Sequence, residues 1–318
     1  MMQISKQGRW VLIIAVFLLI AAIAAGIHDI KNNSGFAGAE REYVAVIRID
    51  GTIYGGPETS PLWGAGGGAP SEQIMAELSE ARKDPHAKAV LLRMNTPGGS
   101  TGATQEIAEE IDRIRSAGKP VIVSMGDTCA SAGYWLASKG DYIFASPATL
   151  TGSIGVYMDY TNVGELMDKL GIKNEKIKSG AHKDILSMYR PMTAEERQML
   201  QAMVDDIYEQ FVNTVADGRR MDVSKVKTFA DGRILTGRQA QDLGLVDAMG
   251  NYYDALSYAG SAGGIESETV PTKSYAGRRV SLKDVLSGEA DTLADEISGR
   301  ITGKLFTSLK DPAYPAVR

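Results

Sequence analysis

Short apolar runs that alternate with helical stretches constrain the fold of this chain more than any other feature. Residues 89–94 and 120–125 have the length and composition of buried strands. Residues 104–116 lie between them and carry isoleucines three and four positions apart, the spacing of a helix that packs one face on a core. Because strand–helix–strand order requires parallel pairing through right-handed crossovers, we predict an α/β protein.

The start of one long helix is marked by its capping residues. Thr193 and Glu196 have the spacing of a capping box, in which each side chain binds the other residue's backbone N–H. Apolar residues then recur at intervals of four. We therefore predict a helix from Thr193 to about Val215.

The N-terminal region carries a membrane-directed signal. Residues 10–27 form an uninterrupted apolar run, which as a helix spans roughly 27 Å, close to the ~30 Å hydrocarbon core of a bilayer. Lys6 and Arg9 precede the run with no acidic residue between them. The positive-inside rule therefore predicts a single-pass helix in the cell membrane, with residues 1–9 cytoplasmic and the rest extracytoplasmic.

A cleavable signal peptide is the alternative for this segment, because residues 22–24 include small side chains near its end. The following residues 28–42 are polar and contain glycine, which indicates a tether. Residues 43–264 carry the strand and helix patterns and are predicted to form the folded domain. Residues 265–318 are largely polar and are predicted to form a loosely attached tail.

Composition excludes several classes of function. The formal charge of −5 argues against a nucleic-acid partner, because proteins that bind nucleic acid usually carry an excess of basic residues. The single Cys129 excludes an intramolecular disulfide framework and a cysteine-rich zinc site. Three scattered histidines offer no metal cluster, and we expect neither a metal nor a cofactor. The histidines are His28, His86 and His182. Catalysis, if present, must use little imidazole.

Two glycine-rich patterns compete for a functional role. Residues 64–69 match a loose GxGxxA pattern but follow no strand, so a surface loop is favoured. Residues 98–102 match GxSxG between a strand and a helix, as a nucleophile elbow with Ser100 would require. That α/β-hydrolase needs a downstream histidine, and only His182 follows. Alternatively, the N–H groups of Gly98 and Gly99 bind a developing oxyanion.

Ser131 is a second candidate nucleophile. It follows a buried strand, starts a helix and has small neighbours, although a serine there is often only a helix cap. The thiol of Cys129, two residues before Ser131, is an alternative nucleophile, but a buried cysteine more often serves packing. Lys183 is a candidate base because burial disfavours the charged amine, and Ser–Lys pairs are a known variant of serine catalysis. Considered alone, Lys183 is more often a solvated surface charge.

Four motifs occur in order along the predicted domain. They are NTPGG at 95–99, MGDTCASAGY at 125–134, LTGSIGV at 150–156 and KSGAHKD at 178–184. Together they resemble the bacterial signal peptide peptidase A family in its short form. The similarity covers roughly residues 43–260 and is specific because the motifs occur in the family's order.

The resemblance implies a serine endopeptidase of the ClpP/crotonase type, built from repeated ββα units. It implies that Ser131 is the nucleophile, Lys183 the general base and Ser153 the residue that orients the lysine. Ala132 departs from the glycine that many members carry. The residues that the resemblance implies for the oxyanion hole are Gly98, Gly99 and Ala132.

The resemblance also implies partners and substrates. The short form assembles as a membrane-tethered homo-oligomeric ring in which neighbouring subunits contribute the serine and the lysine. Its substrates are remnant signal peptides and other small apolar peptides released from preproteins. Two other classes stay open: a crotonase-like acyl-CoA enzyme, which would tolerate Ser131→Ala, and a membrane scaffold without catalytic activity.

Overall fold

The computed structural model describes residues 41–57 and 68–275, which form a mixed α/β fold. The strands are β1 (Tyr43–Asp50), β2 (Thr52–Tyr54), β3 (Gly68–Pro70), β4 (Ala87–Thr96), β5 (Val121–Ala130), β6 (Tyr142–Ala145), β7 (Leu150–Gly152), β8 (Ile234–Thr236), β9 (Ala248–Met249) and β10 (Thr272–Ser274). The helices are α1 (Ser71–Lys83), α2 (Thr101–Ser116), α3 (Ala132–Ala137), α4 (Gly164–Lys169), α5 (Ala194–Arg219), α6 (Val223–Lys227), α7 (Gly237–Asp242) and α8 (Tyr252–Ala262).

One sheet organises these elements. Its main path runs β10-β1-β4-β5-β6-β9, and every neighbouring pair along it is parallel. β7 pairs with the far end of β5 and carries β8 as an antiparallel neighbour. β2 and β3 form a separate parallel pair. The prediction of an α/β protein with parallel strands is confirmed.

The central strands are buried on both faces. On one face they pack against α1, α2 and α3, and Ile47, Leu92 and Val123 belong to this larger core. On the other face Leu91 and Ile122 pack with α8. Strands covered on both sides need apolar side chains at successive positions, which explains the continuous apolar runs in the sequence.

Several element boundaries differ from the sequence-based expectation. The capping box of Thr193 and Glu196 is confirmed, and the helix that it begins continues to Arg219. β5 continues to Ala130, beyond the end of its apolar run at Met125. The extension has no apolar signal because it is fixed by its pairing with β7 and, after a register shift, with Thr96 of β4.

Part of the predicted C-terminal tail is a strand of the sheet. β10 pairs with β1, and the Tyr275 hydroxyl lies 2.7 Å from the hydroxyl of Tyr43. Tyr43 also donates a hydrogen bond to Asp84, whose carboxylate lies 3.3 Å from Lys273 Nζ. Polar side chains hold this edge strand, so apolar periodicity could not predict it.

The predicted membrane anchor, residues 10–27, lies outside the described residues, as does most of the tether 28–42. Within residues 41–57 and 68–275, no helix is both long enough and apolar enough to cross a membrane.

Candidate active site

Ser131 lies on a sharp turn between β5 and α3. Its backbone has φ 54° and ψ −124°, a positive φ that side-chain-bearing residues rarely adopt. Its side chain makes no capping hydrogen bond, so the simple interpretation as a helix cap is wrong. A strained serine between a strand and a helix is the geometry of a nucleophile elbow, which presents the hydroxyl to a substrate.

Ser153 lies beside Ser131 because their strands are paired. Ala130 of β5 is in register with Gly152 of β7, so the two serines each follow a paired residue. The Ser131 N–H donates to the Gly152 carbonyl over 2.9 Å. Ser153 also has a positive φ, 50°, and its N–H donates to Arg233 O. The sheet therefore brings together two of the serines that the sequence predicted for one site.

The glycine loop after β4 closes over the elbow. A Cβ on Gly98 would lie 2.8 Å from Ser131 Cβ, and one on Gly99 would lie 2.0 Å from the Ile53 carbonyl oxygen. Both glycines have positive φ. Ile53 N–H donates to Gly98 O, and Ser100 N–H donates to Ile53 O, so β2 fixes the loop from its other side. Side chains at 98 and 99 would push this loop away from the serine.

Two backbone N–H groups remain available at the elbow. The Gly98 N–H donates to Thr96 Oγ1 over 3.1 Å. In contrast, the N–H groups of Gly99 and Ala132 donate to no group in the part of the chain that the structure describes. Ala132 begins a helix, where the first N–H groups have no intrahelical acceptor. Gly99 and Ala132 are therefore the free donors, and Gly98 permits the close approach.

A small cavity of about 100 Å³ opens at Ser131. Its apolar side includes Trp135 of α3 and Phe211 of α5, whose rings stack with centroids 4.8 Å apart. The residues lining it are Gly99, Thr101, Ser131, Ala132, Trp135, Gly155, Val156, Tyr157, Ile207 and Phe211. The cavity thus combines a hydroxyl, free N–H donors and an apolar wall.

Lys183 is not among the residues of this cavity. It belongs to residues 156–192, which we call the Lys183 segment. In this segment α4 is the only regular helix, and no residue is buried. The Lys183 side chain is exposed and does not line the cavity at Ser131. The structure therefore brings Ser131, Ser153, Gly98, Gly99 and Ala132 together but leaves Lys183 outside this group.

Charged side chains order the loop that carries Lys183. Asp184 accepts hydrogen bonds from Arg190 and from Lys178 Nζ, and these two cations hold the pKa of its carboxyl well below the usual range. Arg190 also binds Glu196 at the start of α5, which lowers the pKa of Glu196 to about 2. The loop thus has a defined conformation although it lacks a core.

Comparison with known proteins decides the family. Residues 113–266 match peptidase family S49. A protein of Synechocystis sp. named as a protease is 36% identical over 264 residues, which cover 82% of this chain and 90% of the relative. The chain belongs to peptidase family S49. It is a serine peptidase, a hydrolase of peptide bonds.

Two further relatives match parts of their own length. Protease 4 of Salmonella typhi is 38% identical to this S49 peptidase over 68% of the chain and 34% of its own length. A protein of Enterococcus faecium named as a signal peptide peptidase is 41% identical over 58% of the chain and 54% of its own length. The chain therefore spans about a third and about half of these two relatives.

The alternative nucleophiles have unsuitable surroundings in this S49 peptidase. Ser100 has φ −63° and ψ 128°, ordinary extended backbone, and does not line the cavity. Cys129 is completely buried, and burial raises the pKa of its thiol to about 12, so the thiolate is disfavoured. No cluster of three or more acidic, histidine or cysteine side chains in residues 41–57 and 68–275 could hold a metal ion.

Some residues at this site were not predicted from the sequence. Trp135 is one helical turn from Ser131. The small residues that flank Ser131 indicated a role for the serine alone, so no sequence pattern predicted a role for Trp135. Phe211 was expected simply as part of the helix's apolar face. Arg190 had no signal beyond its charge, because its two acidic partners are identified only by the folded loop.

Proposed function

We propose that this protein is a membrane-tethered serine endopeptidase in which Ser131 is the nucleophile and Lys183 the general base. The observation that carries the proposal is the strained backbone of Ser131 beside two free N–H donors. The parallel sheet with elbow and glycine loop also supports the ClpP/crotonase-type architecture of repeated ββα units. We also propose that residues 43–264 form the folded domain and that residues 265–318 form a tail, whose strand β10 extends the sheet.

The reaction begins with proton transfer. The neutral amine of Lys183 takes the Ser131 Oγ proton as Oγ bonds to the substrate carbonyl carbon. The resulting ammonium gives the proton to the leaving amine when the C–N bond breaks, which leaves an acyl-enzyme. Water then attacks the ester carbonyl as Lys183 takes its proton, and the Lys183 ammonium returns that proton to Ser131 Oγ when the acyl C–O bond breaks and the acid product leaves. Ser153, beside Ser131, orients the amine.

The oxyanion formed in both steps is held by the N–H groups of Gly99 and Ala132, which line the same cavity as Ser131. Backbone donors fixed before reaction stabilise developing charge without reorganisation. The methyl group of Ala132 does not obstruct this role because the donor is its backbone N–H. Gly98 supports the hole by its close approach to Ser131 rather than by donation.

The base needs an environment that a single copy does not supply. A general base must be neutral, and removal from water favours the neutral amine of a lysine, whereas Lys183 is exposed in the single chain. The Lys183 segment also exposes many large apolar side chains, which favours burial against another copy of the chain. They are Tyr157, Met158, Leu166, Leu170, Ile172, Ile177, Leu186, Met188 and Tyr189.

We therefore propose a homo-oligomeric ring in which the Lys183 segment of one subunit completes the Ser131 cavity of the next. The length of α5 supports the separation of the Lys183 loop from the Ser131 cavity within one subunit. Glu196, which holds the loop of Lys183, and Ile207, which lines the cavity, are eleven residues apart on α5, roughly 16 Å along its axis.

Substrate choice follows from the cavity and the predicted anchor. A cavity of about 100 Å³ whose apolar wall includes Trp135 and Phe211 accepts a small or medium apolar side chain at the cleavage site. With residues 10–27 as a membrane anchor and the domain on the extracytoplasmic side, the enzyme meets apolar peptides at the bilayer at high effective concentration. Remnant signal peptides and small apolar peptides are the proposed substrates, in agreement with the name of the Enterococcus relative.

The test compares Ser131→Ala, Lys183→Ala and Ser100→Ala on a fluorogenic apolar peptide. We expect turnover to fall at least about 1,000-fold in the first two variants, because each removes an essential partner of one step. Ser100→Ala, the control, is expected to keep native turnover. Near-native turnover in Ser131→Ala or Lys183→Ala would exclude the dyad. In Ser131→Ala it would favour the acyl-CoA enzyme if CoA also binds, and an inactive wild-type ring would favour the scaffold.

A further inference from the structure

Arg190 joins two acidic side chains with one guanidinium group. Its Nε and Nη2 donate to Asp184 Oδ2 and Oδ1 over 3.0 and 2.8 Å. Its Nη1 and Nη2 donate to Glu196 Oε2 and Oε1 over 2.8 and 2.5 Å. Each carboxylate is therefore held by two hydrogen bonds, an arrangement that fixes orientation as well as distance.

The two carboxylates belong to different parts of the chain. Asp184 directly follows Lys183, and its loop is closed by Lys178 Nζ, which donates to Asp184 Oδ1 and to the Ala181 carbonyl. Glu196 is 2% exposed, and its carboxylate also accepts the Thr193 N–H in the capping box of α5. Arg190 thus ties a surface loop to a buried acid on a long helix.

We infer that Arg190 is a positioning residue for Lys183, one that fixes the loop of the base on α5 and balances the charge around it. The inference rests on the proposed function, in which Lys183 is the general base. Arg190 is not assigned any contact with substrate. Its effect passes through Asp184, the immediate neighbour of Lys183 in the chain.

Charge balance gives this role a measurable signature. Besides Lys183 itself, the titratable and charged groups of the loop and of the facing turn of α5 are Lys176, Lys178, His182, Asp184, Arg190, Glu195, Glu196 and Arg197. Within the central network, two cations offset two carboxylates. Loss of the Arg190 charge leaves a net negative charge, which stabilises the Lys183 ammonium and moves the pH at which the base becomes neutral upward. Loss of the Asp184 charge has the opposite effect.

A purely structural ion pair would behave differently. It would alter the amount of folded protein or its melting temperature and leave the pH dependence of the remaining activity unchanged. Arg115 provides a matched control, because its guanidinium likewise lies between two carboxylates, those of Asp112 and Asp141, with similar exposure. Arg115 lies on α2, outside the Lys183 segment.

The experiment measures kcat and KM against pH for the full chain with a fluorogenic apolar peptide. In Arg190→Gln we expect kcat to fall about tenfold, KM to stay within about twofold, and the acidic limb of the kcat/KM profile to move up by about half a pH unit. Asp184→Asn is expected to move that limb down by a similar amount. The double variant is expected to restore its position, and Arg115→Gln to match the wild type.

Arg190→Lys separates position from charge. It keeps the cation but loses the two-pronged geometry, so we expect a lower kcat with an unshifted acidic limb. If Arg190→Gln does not fold, Arg190→Lys and Asp184→Asn still carry the test. If Lys183→Ala is inactive but the pH profiles of both Arg190→Gln and Asp184→Asn are unshifted, the inference about Arg190 is overturned and the proposed function is not. Near-native turnover in Lys183→Ala would instead overturn the proposed function.

Discussion

The two residues of the proposed dyad lie in opposite kinds of structure. Ser131 follows a central strand and precedes α3, every residue of which is buried. Lys183 lies in a segment of residues 156–192 without one buried residue. Ser131 is held by the core of its own chain, whereas the loop of Lys183 is ordered by charge pairs at the surface.

This difference matches what the two chemical roles require. A nucleophile and its oxyanion donors need rigid geometry, which a packed strand–helix turn supplies. A lysine base needs removal from water, which a surface segment gains only when something covers it. A shared site between subunits would meet both needs and would confine proteolysis to the assembled protein.

Complementation between two inactive variants is the strongest test of this difference between Ser131 and Lys183. Ser131→Ala and Lys183→Ala are each expected to be at least about 1,000-fold less active than the wild type. Mixed and reassembled in equal amounts, they are expected to recover a measurable fraction of wild-type turnover, because some sites then combine an intact serine with an intact lysine. Peptide turnover before and after mixing is the measurement.

The control for complementation is Ser131→Ala mixed with the double variant Ser131→Ala/Lys183→Ala, which lacks any intact serine. No recovery in the first mixture despite confirmed co-assembly would mean that the site is formed within one chain. Recovery in the control mixture would mean that turnover does not depend on Ser131.

A smaller effect is expected at the rigid side of the comparison, in the glycine loop. In Gly99→Ala the new Cβ would lie 2.0 Å from the Ile53 carbonyl oxygen, so the loop and its free N–H must shift. We expect kcat to fall about 100-fold, the typical effect of losing one oxyanion donor. Gly102→Ala is the matched control, because nothing lies within 4 Å of its added Cβ. Equal kinetics in the two variants would remove Gly99 from the oxyanion hole.

The smallest expected effect is on the free energy of unfolding, and it differs between two acidic networks. One network lies at the sheet and the other in the Lys183 segment. Burial tends to raise the pKa of Asp84, but hydrogen bonds from Tyr43, the His86 N–H and Lys273 outweigh it and lower the pKa to about 2. A lowered pKa stabilises the folded state above the unfolded pKa, so this contribution is lost as the pH falls from about 5 to 2.

Asp84→Asn is therefore expected to lower the free energy of unfolding by about 2 kcal/mol at pH 7, with the difference from wild type vanishing near pH 2. Asp184→Asn is expected to lower that free energy less than Asp84→Asn does, because solvent weakens charge pairs in a segment without buried residues. Urea unfolding at pH 7, 5 and 3 measures both. An equal loss in the two variants would contradict the division between core and segment.

Much of the fold was predictable because its signals are local. The apolar runs of β4 and β5, the helix between them and the capping box of Thr193 and Glu196 each depend on neighbours within a few residues. β10 and the second half of β5 were not predicted, since polar pairing with distant strands holds them.

The candidate site divides in the same way. Motifs in the sequence predicted Ser131, Ser153 and Gly99 for one site, and the pairing of β5 with β7 explains why the two serines adjoin. The sequence could not show that Ser131 has a positive φ or that the Gly98 N–H is already used by Thr96. Backbone strain and donor occupancy arise from contacts between remote segments.

By itself, then, the sequence determined the kinds of element, their order and the residue types available for catalysis, because propensity, periodicity and motif spacing are local properties. Only the tertiary structure decided which hydroxyl lies on a strained turn, which N–H groups stay free, and that Lys183 lies apart from Ser131 in a segment tied to α5 by Arg190. Those facts depend on which distant segments pack together, and packing is the property that a linear pattern does not contain.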